Sequence, residues 1–428
     1  MALITVIIVF ILTLFMGIPI AFILGISSLV YLIFYCNMPL IIIGQSLFQG
    51  VDSFVLLAVP LFILAGHLMS RTGVTKDLIN FADLLVGRLP GGLAQVNIVV
   101  SIFFAGLTGA AVADTAAIGS ILIPAMKKQG YSAEYSAAIT TASSIIGPII
   151  PPSIIMVIYG SITGMSIGAL FMAGFVPGIL IGLGLMVAAT YYAIKENHPR
   201  RKKSISWRET AIITKNSLIA LMVPVIIIGG ILTGKFTPTE AAAVACGYVF
   251  LVGIFVYKKL TIKGIIDSLY ESAVTSAVIL LIISTAKLFG LFLALEHVPE
   301  QVAVIITSIT TNKYVFLLIM NIFLLFMGMV METGANVILL APILLPIALS
   351  FGVHPLHFAL IMLVNLNIGL TTPPLGVCLF VAAPIAKTTM EKIVVRVIPL
   401  VAMEVVVLLF ITYIPELILY VPRLFGFV

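Results

Sequence analysis

Two apolar stretches of this chain are each broken by a glycine followed, four positions on, by a pair of prolines. The first reads GPIIPPS (147–153) and the second GLTTPPL (369–375). Proline inside a helix removes an amide donor and clashes with the preceding turn, at a cost of about 3 kcal/mol or more. In hydrocarbon the freed carbonyls find no water, so such a break must be buried in protein or line a wet cavity. Two matched breaks therefore demand a polytopic bundle that encloses both.

The hydrocarbon setting follows from composition. Of 428 residues 62% are hydrophobic and 9% charged, a balance foreign to soluble domains. Runs at 3–16, 19–35, 54–69, 216–232, 272–295 and 396–414 are apolar and nearly uncharged. A span takes about 20 such residues, which gives roughly ten to twelve membrane segments, some of them short. The first nineteen residues lack a basic lead and a small-residue cleavage site, so they read as a retained helix rather than a signal peptide. Residues 3–35 are one long tilted helix or two short ones bent at GIP (17–19).

The breaks belong to an internal repeat. Gly147, Pro151 and Pro152 match Gly369, Pro373 and Pro374, each 222 positions later. At the same offset Pro124 meets Pro346 and Asp114 meets Asn336. Shared punctuation at one offset marks duplication. Loop charges give its sense. Lys127 and Lys128 follow ILIPAM, whereas no Lys or Arg follows its partner ILLPIA. Conversely, the first break is followed by no basic residue and the second by Lys387, Lys392 and Arg396. Matched loops thus lie on opposite sides, as in an inverted repeat.

The fold class expected is an all-α polytopic membrane protein, with two inverted repeats, two re-entrant hairpins and two broken helices. The first repeat is 1–195, with a hairpin at 93–126 and a broken helix at 135–160. A basic cytoplasmic loop fills 196–215. The second repeat is 216–428, with a hairpin at 313–350 and a broken helix at 356–386. Gly106 and Gly109, then Gly328 and Gly334, supply the turns at the hairpin tips. Lys195, Arg200, Arg201, Lys202, Lys203, Arg208 and Lys215 gather seven of the 22 basic residues near one helix end. That fits the cytoplasmic side and lipid headgroups, not nucleic acid. Residues 75–92 and 260–272 read as paired amphipathic arms.

A broken helix exposes carbonyls that coordinate cations and amino ends that attract anions. Paired breaks in inverted halves point to a transporter site. Asp114, a carboxylate at membrane depth, either ligates a cation such as sodium or caps the second hairpin helix, and the two roles are compatible. Candidate sodium positions are Thr108, Asp114, Ser144 and Gly147 in the first half. Thr333, Gly334, Asn336, Gly369 and Thr372 are those of the second. Candidate substrate contacts are Ser143, Ser153, Asn365, Asn367 and Thr371, each of which also suits interhelical bonding.

Lys287 is a lone cation in an apolar run. It meets an anionic substrate, pairs with a carboxylate such as Glu332, or snorkels to an interface. His67 reads as a helix-packing histidine, Glu296, His297 and Glu300 as solvated, and Gly178 with Gly182 as a packing pair. Cys36, Cys246 and Cys378 match no disulfide or metal spacing. No phosphate-cradling loop, metal constellation or nucleophile–base pair appears, so no enzyme is expected.

GLTGAAVADTAAIGSILIPAM (106–126), SSIIGPIIPPSIIMVIYG (143–160), FMGMVMETGANVILLAPILLPI (326–347) and NIGLTTPPLGVCLFVAA (367–383) together carry a resemblance over essentially the whole chain. It resembles the large membrane subunit of tripartite ATP-independent periplasmic (TRAP) transporters, and among them the sialic-acid type. The resemblance implies an elevator-type secondary transporter, with a moving transport domain on a fixed scaffold, and sodium-driven import of an organic acid across a bacterial inner membrane. It also implies a small four-helix membrane subunit, here a separate chain, and a periplasmic substrate-binding protein. It sets sodium sites near Asp114 with Gly147 and near Asn336 with Gly369. A stand-alone sodium-coupled exchanger of similar architecture is the alternative.

Overall fold

The computed structural model describes residues 2–36, 38–201 and 206–428, with the side chains of 106–108 outside the description. Every regular element among the described residues is helical. Among the described residues eight helices are long and apolar enough to cross a membrane, and eight shorter ones are apolar too. The protein is thus a multi-pass membrane protein.

Helix boundaries repeat at the offset read from the sequence. The first hairpin pairs Gly92–Thr108 with Ala111–Lys128, and the second pairs Lys313–Val330 with Thr333–Ser350. The first broken helix is Ala133–Ser144 and Ile154–Thr163; the second is Pro355–Gly369 and Val377–Ala386. The bonds Pro151–Pro152 and Pro373–Pro374 are both cis. Each second hairpin arm touches both breaks. Ala111–Lys128 packs on Ala133–Ser144 and on Val377–Ala386, while Thr333–Ser350 packs on Pro355–Gly369 and on Ile154–Thr163. The interrupted backbone is therefore enclosed by protein, as hydrocarbon requires.

A second group of helices flanks this body. Ile20–Phe34, Ile41–Val51 and Ala58–Thr72 all pack on the 34-residue helix Ile262–Leu295. The chain start is two helices, Ala2–Phe15 and Ile20–Phe34, separated at Gly17 in a left-handed φ of 73° and at Pro19. The long helix Ile167–Lys195 crosses the first break with small residues inward. A Cβ on Gly178 would collide with Ile150, and one on Gly182 would lie 2.9 Å from Ile102, so this pair does serve packing.

Three sequence expectations change. Residues 260–272 are no arm, because they start the unbroken helix Ile262–Leu295. In register with Val74–Val86 stands instead Val298–Ile309. The basic segment ends earlier than 215, because Ser206 and Glu209 form a capping box that starts Trp207–Leu232. Lys202 and Lys203 lie outside the described residues. Glu296 is not simply solvated: it accepts a 2.9 Å bond from the Tyr31 hydroxyl.

Candidate ion- and substrate-binding site

The two hairpins turn differently. Gly109 ends Gly92–Thr108 in a left-handed φ of 61°, a region that costs glycine nothing. A Cβ there would lie 3.0 Å from the Ile154 amide nitrogen, so the first tip rests on the start of the second half-helix. In the second hairpin Gly328 and Gly334 stay helical. Here the side chain of Glu332 caps the returning helix, accepting from the Ala335 amide at 3.2 Å. Gly328 serves close approach, since a Cβ on it would lie 2.6 Å from the Leu366 carbonyl oxygen.

Around the first break Asp114 is fully buried beside Gly147, where a Cβ would collide with its carboxylate. Ala110, not Asp114, takes the helix cap position. Asp114 sits in the first turn, where the helix dipole favours a negative group. The Thr115 hydroxyl donates to Ser144 at 2.8 Å, tying this turn to the broken helix. Ser143 points elsewhere: it accepts from Ser101 at 3.0 Å and donates to Asn97 at 3.1 Å. Ser153 caps Ile154–Thr163, accepting from the Met156 amide and donating to the Pro148 carbonyl at 2.6 Å. The Thr108 side chain lies outside the described residues.

Around the second break Asn336 is fully buried. Its amide group donates to the Met327 and Met331 carbonyls at 3.0 and 2.9 Å. Its carbonyl oxygen has no hydrogen-bond partner among the described residues. Thr333 donates to the Asn367 side-chain oxygen at 3.3 Å, joining tip to break. Asn365 faces the other way, donating to Asn321 at 2.6 Å. Thr371 and Thr372 both bond the Ile368 carbonyl, at 2.9 and 2.7 Å. Gly334 leaves room for the Glu332 carboxylate, 2.9 Å from where its Cβ would stand.

Both tips open onto one cavity of 830 Å³. Gly109 and Ala110 line it from the first tip, Glu332 and Gly334 from the second, and His67 and Thr275 from the flanking helices. Volume in this range suits a small organic molecule. Ser143, Ser153, Asn365, Asn367 and Thr371 are not among its walls. His67 bridges two helices, 3.3 Å from Glu271. Among the described residues no ion pair joins Lys287 to Glu332, because the two line different cavities.

A profile of the tripartite ATP-independent periplasmic transporter, DctM component, matches residues 7–417, both tips and both breaks included. The chain belongs to this family. The permease is 40% identical to the sialic acid TRAP transporter large permease protein SiaM of Vibrio cholerae, over 96% of each chain. It is 36% identical to the C4-dicarboxylate TRAP transporter large permease protein DctM of Rhodobacter capsulatus, again over 96% of each. It is 42% identical to the isethionate TRAP transporter permease protein DctMQ of Oleidesulfovibrio alaskensis, covering 95% of this chain and 64% of that one. In fold it matches the Alcanivorax borkumensis YdaH transporter, with a TM-score of 0.64 at 14% identity, over 92% of this chain and 96% of that one.

Sequence reasoning missed the placement of Glu332. Its E-T-G-A-N context offered a signal, since an acidic residue three before a helical amide is a cap. Among the described residues no cluster of three His, Cys, Asp or Glu side chains is arranged to hold a metal. A cation at the tips would therefore have at most the single Asp114 carboxylate, with hydroxyl, amide and main-chain oxygens completing its shell.

Proposed function

We propose that this permease is the large membrane component of a sodium-driven importer of an organic acid, sialic acid or a C4-dicarboxylate, in the bacterial inner membrane. Its partners in this reading are a small four-helix membrane subunit and a periplasmic substrate-binding protein. The relatives named for sialic acid and for C4-dicarboxylates support the substrate class. One observation carries the sodium assignment. At matched positions each tip buries a side-chain oxygen: the Asp114 carboxylate beside Gly147 of the first broken helix, and the Asn336 carbonyl, which has no hydrogen-bond partner among the described residues. Sodium is a hard cation that takes such oxygens together with helix-end carbonyls. The tip body, built of both hairpins and both broken helices, moves against the flanking helices in an elevator motion. The loop charges support inverted repeats and hence access to the two sides in turn.

Uptake of labelled sialic acid and succinate into proteoliposomes tests this. The chain is reconstituted with its small subunit, with and without the binding protein, under an inward sodium gradient. Uptake that requires both the gradient and the binding protein is expected. Asp114→Ala should weaken apparent sodium affinity by about tenfold, the loss of one charged ligand at about 1.4 kcal/mol, while the complex still assembles. Sodium dependence unaltered in that variant removes Asp114 from the site. Uptake without the binding protein points to the stand-alone exchanger.

A further inference from the structure

Lys287 is left over by everything above. It is the sole charged residue between Glu271 and Glu296, and among the described residues it makes neither an ion pair nor a hydrogen bond. A cation set in an apolar helix has to reach water, a lipid headgroup or a partner of opposite charge. It opens into a cavity of 560 Å³ separate from the one at the tips. Ser46, Gln49 and Ser53 line that cavity from the segment before Ala58–Thr72, and Ser161 lines it from the end of the first broken helix. Ser53 and Ser161 face each other across 3.5 Å. The cavity thus offers one cation together with three hydroxyls and one amide among otherwise apolar walls, a set that complements a carboxylate.

The two cavities lie in series. Helix Ile262–Leu295 walls both: Thr275 to Ile282 on the tip cavity, Ile283 to Ala294 on the other. Thr275 and Lys287 are therefore about 18 Å apart along the axis at 1.5 Å per residue. Ile338 of the second hairpin lines both cavities and so forms part of the wall between them. Lys263, at the other end of the helix beside Lys258 and Lys259, marks the cytoplasmic side. From Lys263 to Lys287 is about 36 Å, roughly a full hydrocarbon thickness. The Lys287 cavity thus lies on the side from which an imported acid arrives.

We propose that the Lys287 cavity is a receiving site for the carboxylate of the transported acid, occupied before the acid reaches the tips. This rests on the import reading above. The same chemistry would take the phosphate of an anionic lipid, so the test separates the two sources.

The full chain in phosphatidylcholine nanodiscs is treated with formaldehyde and a borohydride reductant, and dimethylation of Lys287 and Lys263 is quantified by peptide mass spectrometry. Millimolar sialic acid or succinate should slow modification of Lys287 at least fivefold and leave Lys263 unchanged. Protection by neither acid, or protection only on exchanging the lipid for phosphatidylglycerol, overturns the proposal. Because this readout needs no sodium and no partner, it stands apart from the transport reading. In the uptake assay Lys287→Arg should keep near-native KM and Lys287→Gln should raise KM about tenfold, with sodium dependence unchanged in both. An unaltered KM in Lys287→Gln also overturns it, and absent uptake by the native assembly counts against the transport reading alone.

Discussion

Gly328 and Gly369 pack backbone against backbone: a Cβ on Gly369 would stand 2.5 Å from the Gly328 Cα and 2.8 Å from the Met329 nitrogen. Backbone cannot swing aside as a side-chain end can. Gly369→Ala must therefore separate the second hairpin from the second broken helix, at a cost of about 1–3 kcal/mol or more. The expected result is a lower melting temperature in detergent and poor recovery of monodisperse protein. Gly247→Ala is the control. Gly247 lies within the helix Pro238–Leu251 with nothing within 4 Å of its Cβ position. That change should stabilise by about 0.5–1 kcal/mol. Equal melting temperatures for Gly369→Ala and the native chain would show that the glycine contact is dispensable.

The basic segment is clamped to the helix Met390–Tyr413 by a cluster that contains a histidine. Arg396 reaches Glu196 at 2.5 Å, and Glu196 lies 3.2 Å from His198. The His198 ring sits over Tyr131 and Tyr135, with centroids 4.4 and 4.8 Å away. Burial lowers the His198 pKa from the ordinary 6.5, and Arg396 lowers it further, against the opposing pull of Glu196. A base with a lowered folded pKa costs nothing while both states are neutral. As pH falls below about 6.5 the unfolded state takes up the proton first, so stability drops until the folded value is passed. Between pH 7.5 and 5.5 the native melting temperature should therefore fall by about 2 °C more than that of His198→Gln. Parallel pH profiles for the two proteins would refute this.

The repeat was legible because its punctuation is strict. The register of Gly147 with Gly369 and of Pro124 with Pro346 predicts boundaries that agree within two residues for Val74–Val86 with Val298–Ile309, for both hairpins and for Ile154–Thr163 with Val377–Ala386. Amphipathicity was a poorer guide. Residues 260–272 carry Lys263, Asp267 and Glu271 on a helix that simply continues into apolar sequence, so charge pattern alone mimicked a separate arm. The side chains near each break were found by position, but their partners were not. Ser143 and Asn365 turn away from the tip cavity because hydroxyls and amides in an apolar bundle seek neighbouring helices, here Asn97 with Ser101 and Asn321. Which of two faces such a residue takes depends on helix rotation, which periodicity in a uniformly apolar segment does not encode.

Glu404 escaped the sequence reading altogether, and its setting leads to a test. It is fully buried in Met390–Tyr413, a helix packed on the first half of the first broken helix and on Ile167–Lys195. Neither carboxyl oxygen has a hydrogen-bond partner among the described residues. An unpaired buried polar group costs its desolvation with no return, and an apolar side chain of like shape removes that cost. Glu404→Met, nearly isosteric and flexible, should therefore raise stability by about 1–3 kcal/mol, read as a higher melting temperature. Glu404→Ala discards volume as well and should lose about 2 kcal/mol or more of packing relative to the Met variant. A melting temperature that falls for both would mean that the carboxyl is bonded in the native state, and that the interface beside Ala133–Ser144 depends on it.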